Sequence, residues 1–330
     1  MCNKFEIVES FRIEKEIKVK KSTVKTYCTH INIFLNDIGD KLNSADENVI
    51  LNSLKKFTNI QSVICQYRKR TELPKNDKRR FSYSTVNTKI FALKEFGDFL
   101  AGTGEFEKNP FMNINPYESY EVERNKEHHK SLSLEETRKL IKTINKMEKN
   151  NLKKTRLKFI IAMMTNCGNR IGELTNLTFD QIEGTKDGIM INYIGKSATK
   201  KGVDKRIPIT GKAREYYLDY LRERNKIIDN IKSNDCEKYV LVSDKGKKYN
   251  YQRVNEALEK YCFMMGIDIK KRKITNHGFR GTCRIALDCY KGVGEGTIKL
   301  IQGWQLDSVQ NAYLSNKLTD KDKMEICNIL

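Results

Sequence analysis

The 330-residue chain is poor in the residues that punctuate or staple a fold: four prolines, one tryptophan and four histidines. The longest apolar run, Phe159-Ile160-Ile161-Ala162-Met163-Met164, is far short of the ~18–20 residues that a membrane span requires. The start, Met1-Cys2-Asn3-Lys4-Phe5, has no apolar stretch or small-residue cleavage pattern, so neither secretion nor membrane insertion is expected. The nine cysteines are scattered, odd in number and never in a C-x-x-C pair. They read as reduced, mostly buried thiols of a cytoplasmic protein rather than a disulfide framework. No Cys/His spacing suits zinc, and His128-His129 lies in a polar stretch, so no metal is expected. Nucleotide signatures are missing as well. Gly195-Lys196-Ser197 lacks the glycine a phosphate loop needs at position 190, which is Met190, and Gly292–Gly296 is not a dinucleotide fingerprint. No cofactor is indicated.

Positive charge is what the chain does have. Lys and Arg number 62 against 42 Asp and Glu, a formal net charge of +20. The excess is concentrated in runs such as Arg68-Lys69-Arg70, Lys78-Arg79-Arg80 and Lys270-Lys271-Arg272-Lys273. A solvated lysine-rich surface would account for part of it, but the balance favours a nucleic-acid partner.

At ~100–200 residues per domain the length suggests two domains. Ser22–Leu35 places Val24, Tyr27, Cys28, Ile31 and Phe34 or Leu35 on one helical stripe, and Ser84–Leu100 does the same with Val86, Ile90, Leu93, Phe96 and Leu100. Residues 1–108 therefore read as an all-helical domain. Asn109-Pro110 and Asn115-Pro116 break any helix. The charged, patternless stretch that follows makes 109–130 a linker. Ser133 and Glu136 have capping-box spacing, opening a second domain over 131–330. Helices are expected there over about 152–166, 170–177, 212–231, 250–265 and 276–290. One strand-like interruption, Gly188–Ile194 and Lys205–Ile209 around a basic turn, reads as a β-hairpin. The fold class is thus mainly α with a small β-hairpin or sheet. An amphipathic helix capped by Thr319 is expected over 319–330.

Five boxes in the second domain carry chemistry-bearing residues in order. Asn166-Cys167-Gly168-Asn169-Arg170-Ile171-Gly172-Glu173-Leu174 is followed by Gly195-Lys196 and Arg206-Ile207-Pro208-Ile209, then His277-Gly278-Phe279-Arg280, Gly303-Trp304, and Tyr313 nine residues on. Together they resemble the tyrosine recombinase, or phage integrase, family, of the Xer and Cre kind, and the resemblance covers nearly the whole chain. It implies a helical core-binding domain that clamps DNA and an α+β catalytic domain, with no arm-binding domain before residue 20. Gly281 stands where the family often has a second histidine, and Trp304 replaces the commoner histidine.

The resemblance implies a role for each box. Tyr313 would be the nucleophile, with Arg170 and Arg280 on the scissile phosphate, His277 the base and Lys196 the acid for the leaving 5′-oxygen. Lys200, Lys201 and Lys205 are rivals to Lys196. Trp304 would hold the phosphate, and Glu173 would orient His277 or Arg170. Two cations suit a phosphate because arginine's planar fork matches its geometry. Lys200, Lys201, Lys205, Arg206, Lys271, Arg272, Lys273, Arg68 and Arg70 are candidate DNA contacts. The partner expected is double-stranded DNA, with four subunits on two sites and room for a second recombinase, in the cytoplasm or on the nucleoid of a bacterium. Mobile-element integration is one such role. A type IB topoisomerase or telomere resolvase would use the same cleavage without exchanging strands, and an inactive DNA-binding accessory protein is the other alternative.

Overall fold

The computed structural model describes residues 5–74, 76–125, 131–195, 203–230, 237–302 and 319–330. The chain divides into two compact units, residues 1–128 and 129–330.

The first unit is helical: α1 (Glu6–Lys18), α2 (Lys21–Leu42), α3 (Glu47–Ser53), α4 (Phe57–Lys69), α5 (Tyr83–Gly102) and α6 (Ser119–Asn125). The apolar stripe of α2 is buried at Val24, Ile31, Phe34, Leu35 and Ile38, and its end turns at Asn43 in the left-handed region (φ 48°). The hydroxyl of Ser82 accepts from Thr85 N at 3.1 Å to start α5, which buries Val86, Ile90, Leu93, Phe96 and Leu100.

The expected linker is partly structure. Asn109 clasps α5, donating to Lys94 O (2.9 Å) and Asp98 (2.7 Å) and accepting from Phe111 N (2.8 Å). Gly97 makes room for it, since a Cβ there would lie 2.0 Å from Asn109 Oδ1. Phe111 and Ile114 join the first core, and Tyr117 exchanges two hydrogen bonds with Asn87 (2.7 and 2.8 Å). The first unit therefore runs past residue 108. The charged stretch after it carries α6, which has no apolar stripe for a sequence reading to find.

The second unit opens on α7 (Leu134–Met147), where Ser133 and Glu136 form the expected capping box. α8 (Asn151–Cys167) is buried on nearly every side from Phe159 to Cys167. α10 (Gly211–Asn230) packs along it, with the Tyr217 and Tyr220 rings near Phe159. Between α9 (Ile171–Thr175) and α10 lies an antiparallel sheet in the order β1 (Ile182–Thr185), β2 (Gly188–Gly195) and β3 (Val203–Ile209). The hairpin is where the pattern put it. β1 was not expected, being four residues long and short of an apolar face. Register pairs Asn192 with Arg206 and Gly195 with Val203. α11 (Gln252–Met264), α12 (Gly278–Ile285, running into a π turn over Ala286–Tyr290) and α13 (Glu295–Gln302) complete the core side.

The last helix, α14 (Asp320–Ile326), is capped by Thr319 and returns onto its own unit. Asp320 pairs with Arg206 at 2.7 Å, and Met324 lies over Gly188, where a Cβ would come within 2.4 Å of Met324 Cε. Cys327 and Ile329 enter the second core, and Arg138 donates to Ile329 O at 3.1 Å. Among the described residues no helix is long and apolar enough to cross a membrane.

Candidate active site

The site is built where α8 stops. Gly168 ends the helix in the left-handed region (φ 60°), a conformation that costs a side-chain-bearing residue ~1–2 kcal/mol. Space excludes a side chain as well: a Cβ at Gly168 would lie 3.0 Å from Gln302. The turn delivers Arg170, with extended backbone (φ −75°, ψ 141°), to the N-cap of α9.

Glu173, one turn into α9, reaches back to that cap. Its Oε2 accepts from Arg170 N at 2.8 Å, and its Oε1 accepts from Arg170 Nη1 at 3.0 Å. The same carboxylate takes the ammonium of Lys205, on β3, at 3.3 Å. Glu173 is 8% and Lys205 1% exposed, whereas Arg170 keeps 30% of its side chain at the surface. Burial pushes the Glu173 carboxyl up, but the Lys205 ammonium and the Arg170 hydrogen bonds outweigh it and hold the group below the usual carboxylate range. Burial pushes Lys205 below the usual lysine range against the pull of Glu173.

Arg280 approaches from α12. Its guanidinium donates to Gly168 O and, at 3.0 Å, to Gln302 O, while Gln302 Nε2 returns a hydrogen bond to Arg280 O at 3.1 Å. The side chain is buried (4% exposed). Its plane is therefore set by two carbonyls, one on the loop that carries Arg170 and one at the end of α13. His277 occupies the N-cap of α12 and is exposed. Beneath the site, Cys167 donates to Pro208 O (3.4 Å) and Cys283 to Asn166 O (3.5 Å). Burial pushes the Cys283 thiol up to about 12. Cys327, from the tail, is hydrogen-bonded to Cys167.

Arg170, Glu173 and Arg280 thus converge on one loop, with Lys205 behind them. Lys196, Lys200, Lys201, Trp304 and Tyr313 lie outside the described residues.

The candidate DNA contacts lie in different settings. Lys205 is no surface cation but an inward-facing strand residue paired with Glu173. Strand alternation carried the signal: Lys205, Ile207 and Ile209 share one face of β3, and the last two are core residues. Arg206 points the other way and is held by Asp320 (2.7 Å), Glu183 (2.6 Å) and Asn192 (2.7 Å). Arg272 pairs with Glu136 at 2.6 Å, while Lys271 and Lys273 are exposed. Arg68 donates to Asn115 O and Arg70 to Arg79 O (2.7 Å), with the Arg70 guanidinium 3.9 Å from the Phe81 ring centre. Among the described residues no three His, Cys, Asp or Glu side chains are grouped to hold a metal.

Residues 130–319 match the phage integrase family profile. No curated protein matches the chain. Among solved structures, a lambda integrase dimer bound to a COC′ core site aligns at 13% identity and TM-score 0.59, over 96% of this chain and 76% of the other. The Tn1549 transposon integrase in complex with circular intermediate DNA aligns at 14% and 0.58, over 97% and 98%. XerH site-specific recombinase on palindromic difH substrate aligns at 16% and 0.57, over 92% and 78%. With the family profile covering more than half the chain, and an Arg170–Glu173 loop braced by Arg280 inside the matched region, the protein belongs to the phage integrase family, the tyrosine recombinases, which cleave and rejoin DNA strands.

Proposed function

We propose that the chain is a cytoplasmic site-specific recombinase in which Tyr313 attacks a backbone phosphate of duplex DNA. The attack forms a 3′-phosphotyrosyl bond and releases a 5′-hydroxyl. That hydroxyl attacks the partner strand's phosphotyrosine, so one ester bond is exchanged for another through a Holliday junction. Four subunits on two sites carry out the two exchanges. The known DNA complexes of its structural neighbours support a duplex partner.

The observation that carries the reading is the convergence of Arg170 and Arg280 on the Gly168–Arg170 loop. In-line displacement builds negative charge on the non-bridging phosphate oxygens, and preorganised cations stabilise it at little reorganisation cost. Removal of one such donor costs ~10²–10³ in rate. Tyrosine ionises near pH 10, so forming its phenolate at pH 7 costs ~4 kcal/mol at ~1.36 kcal/mol per unit. The two arginines lower that cost as the phosphorus–oxygen bond forms, with His277 receiving the proton. Lys196 protonates the leaving oxygen, and Trp304, whose indole N–H only donates, holds the phosphate.

Nicked duplexes made from DNA flanking the gene provide the test, since a nick near the cut site lets the 5′-terminal fragment diffuse away and traps the adduct. Wild type is expected to form the covalent complex, and Arg170→Ala and Arg280→Ala are expected to bind the duplex but form the complex at least ~10²-fold more slowly. Wild-type rates in both arginine variants would overturn the phosphate assignment.

A further inference from the structure

We infer that Lys205 is a positioning residue for strand cleavage: from its buried place on β3 it clamps the Glu173 carboxylate and thereby fixes where Arg170 presents its guanidinium. The inference rests on the reading of Arg170 as a phosphate ligand.

The geometry is a three-point clamp. Two of the donors to Glu173 come from Arg170 itself, its backbone N at 2.8 Å and Nη1 at 3.0 Å. Those two bonds tie Glu173 to Arg170 but tie neither residue to anything else. Lys205 Nζ, at 3.3 Å from Oε2, supplies the reference to the sheet. Arg280 holds the same loop through Gly168 O, two residues before Arg170. The loop is therefore braced from β3 and from α12, and Arg170 is its exposed end.

Burial makes the arrangement costly to keep for stability alone. Lys205 occupies an inward strand position whose neighbours on that face, Ile207 and Ile209, belong to the core. Replacing both members of a buried ion pair with packed apolar groups is often neutral or stabilising. What packed apolar groups would not do is hold Arg170. Positioning matters because a misplacement of ~1 Å can cost ~10²-fold in rate. Among the described residues Glu173, Arg280 and the Cys167 thiol face Lys205, and Lys205 reaches the Glu173 carboxylate from outside α9 and its cap.

The test is a rate cycle on the full chain with the same nicked duplexes, measuring single-turnover cleavage and duplex Kd separately. Lys205→Met is expected to slow cleavage ~10²-fold with Kd near wild type. Lys205→Arg, which keeps a donor to Glu173, is expected to recover most of the lost rate. In a Glu173→Gln background, adding Lys205→Met is expected to change the rate by no more than ~twofold, the tolerance within which uncoupled changes are read. The inference is overturned if Lys205→Met cleaves like wild type, if its loss lies in Kd, or if the full loss persists in the Glu173→Gln background. Should Lys205→Met alone not fold, Glu173→Gln is expected to show the ~10²-fold loss by itself and the Glu173→Gln/Lys205→Met pair no further loss, and wild-type cleavage by Glu173→Gln or a further loss in the pair overturns the inference. Arg170→Ala separates the two readings: wild-type cleavage by that variant sinks the phosphate assignment, whatever the Lys205 cycle gives.

Discussion

Two glycines four residues apart, Gly168 at the end of α8 and Gly172 in α9, should respond to alanine in opposite ways. At Gly168 the added Cβ must adopt φ 60°, at ~1–2 kcal/mol, and it would meet Gln302 Cγ and Nε2 at 3.0 Å. Gln302 cannot withdraw without disturbing its hydrogen bond to Arg280 O, a net ~1 kcal/mol. The sum is ~2–3 kcal/mol, which for a unit of this size lowers Tm by ~4–12 °C at ~2–4 °C per kcal/mol. At Gly172 a Cβ meets nothing within 4 Å, and the residue is helical and exposed. Alanine there should leave Tm unchanged or raise it by no more than ~4 °C, the helix-propensity gain being at most ~1 kcal/mol. Differential scanning calorimetry of the two variants beside wild type decides the matter. A Gly168→Ala transition at the wild-type temperature would refute the reasoning, as would an equal fall in Gly172→Ala. The cleavage rate of Gly168→Ala should fall too, because the displaced Gln302 and the Gly168 carbonyl both hold Arg280.

Other expectations follow from the same contacts. Glu173→Gln removes the carboxylate paired with the buried Lys205 and should cost ~3–5 kcal/mol, read by urea unfolding at pH 7. Because the folded Glu173 is held below its ordinary range, its contribution is present above the unfolded carboxyl pKa and disappears as pH falls through the folded one. The Glu173→Gln deficit in unfolding free energy should accordingly shrink below ~4.3; a deficit that grew as pH fell from ~6 to ~3 would contradict the sign. In the first unit, Gly97→Ala forces Asn109 out of its clasp on α5 and should lower stability by ~2 kcal/mol, three hydrogen bonds of ~1 kcal/mol set against a helix gain of ~1. Thiol labelling of the native protein should reach Cys65 and Cys289 quickly and Cys167, Cys262, Cys283 and Cys327 only on unfolding. Rapid labelling of Cys327 would show that the tail does not stay seated on its own unit.

How much of this was legible beforehand depended on whether the residue pattern was local. The Ser133–Glu136 cap, the stripes of α2 and α5 and the β2–β3 hairpin are each set by neighbours within a few residues, and each appears where spacing placed it. α6 escaped because it has no apolar face, and β1 because four residues show no period. The end of the first unit escaped because Asn109 acts through Gly97, a contact that sequence spacing does not reveal. At the candidate site, the motif spacing singled out Arg170, Glu173 and Arg280, which the fold brings to one loop, but a basic residue in a basic run looks like a surface cation. Only the alternation of β3 distinguishes Lys205, which faces inward, from Arg206, which faces out to Glu183 and Asp320. Gln302 had no motif at all. Its part in bracing Arg280 comes from tertiary contact between α12 and α13.

The central claim is that Tyr313 is the nucleophile of a covalent strand exchange. Denaturing gel electrophoresis of nicked duplexes incubated with wild type and with Tyr313→Phe tests it most directly. The account predicts a protein–DNA adduct with wild type and none with Tyr313→Phe, while both bind the duplex. An adduct of equal yield in both would place the nucleophile elsewhere and contradict the account.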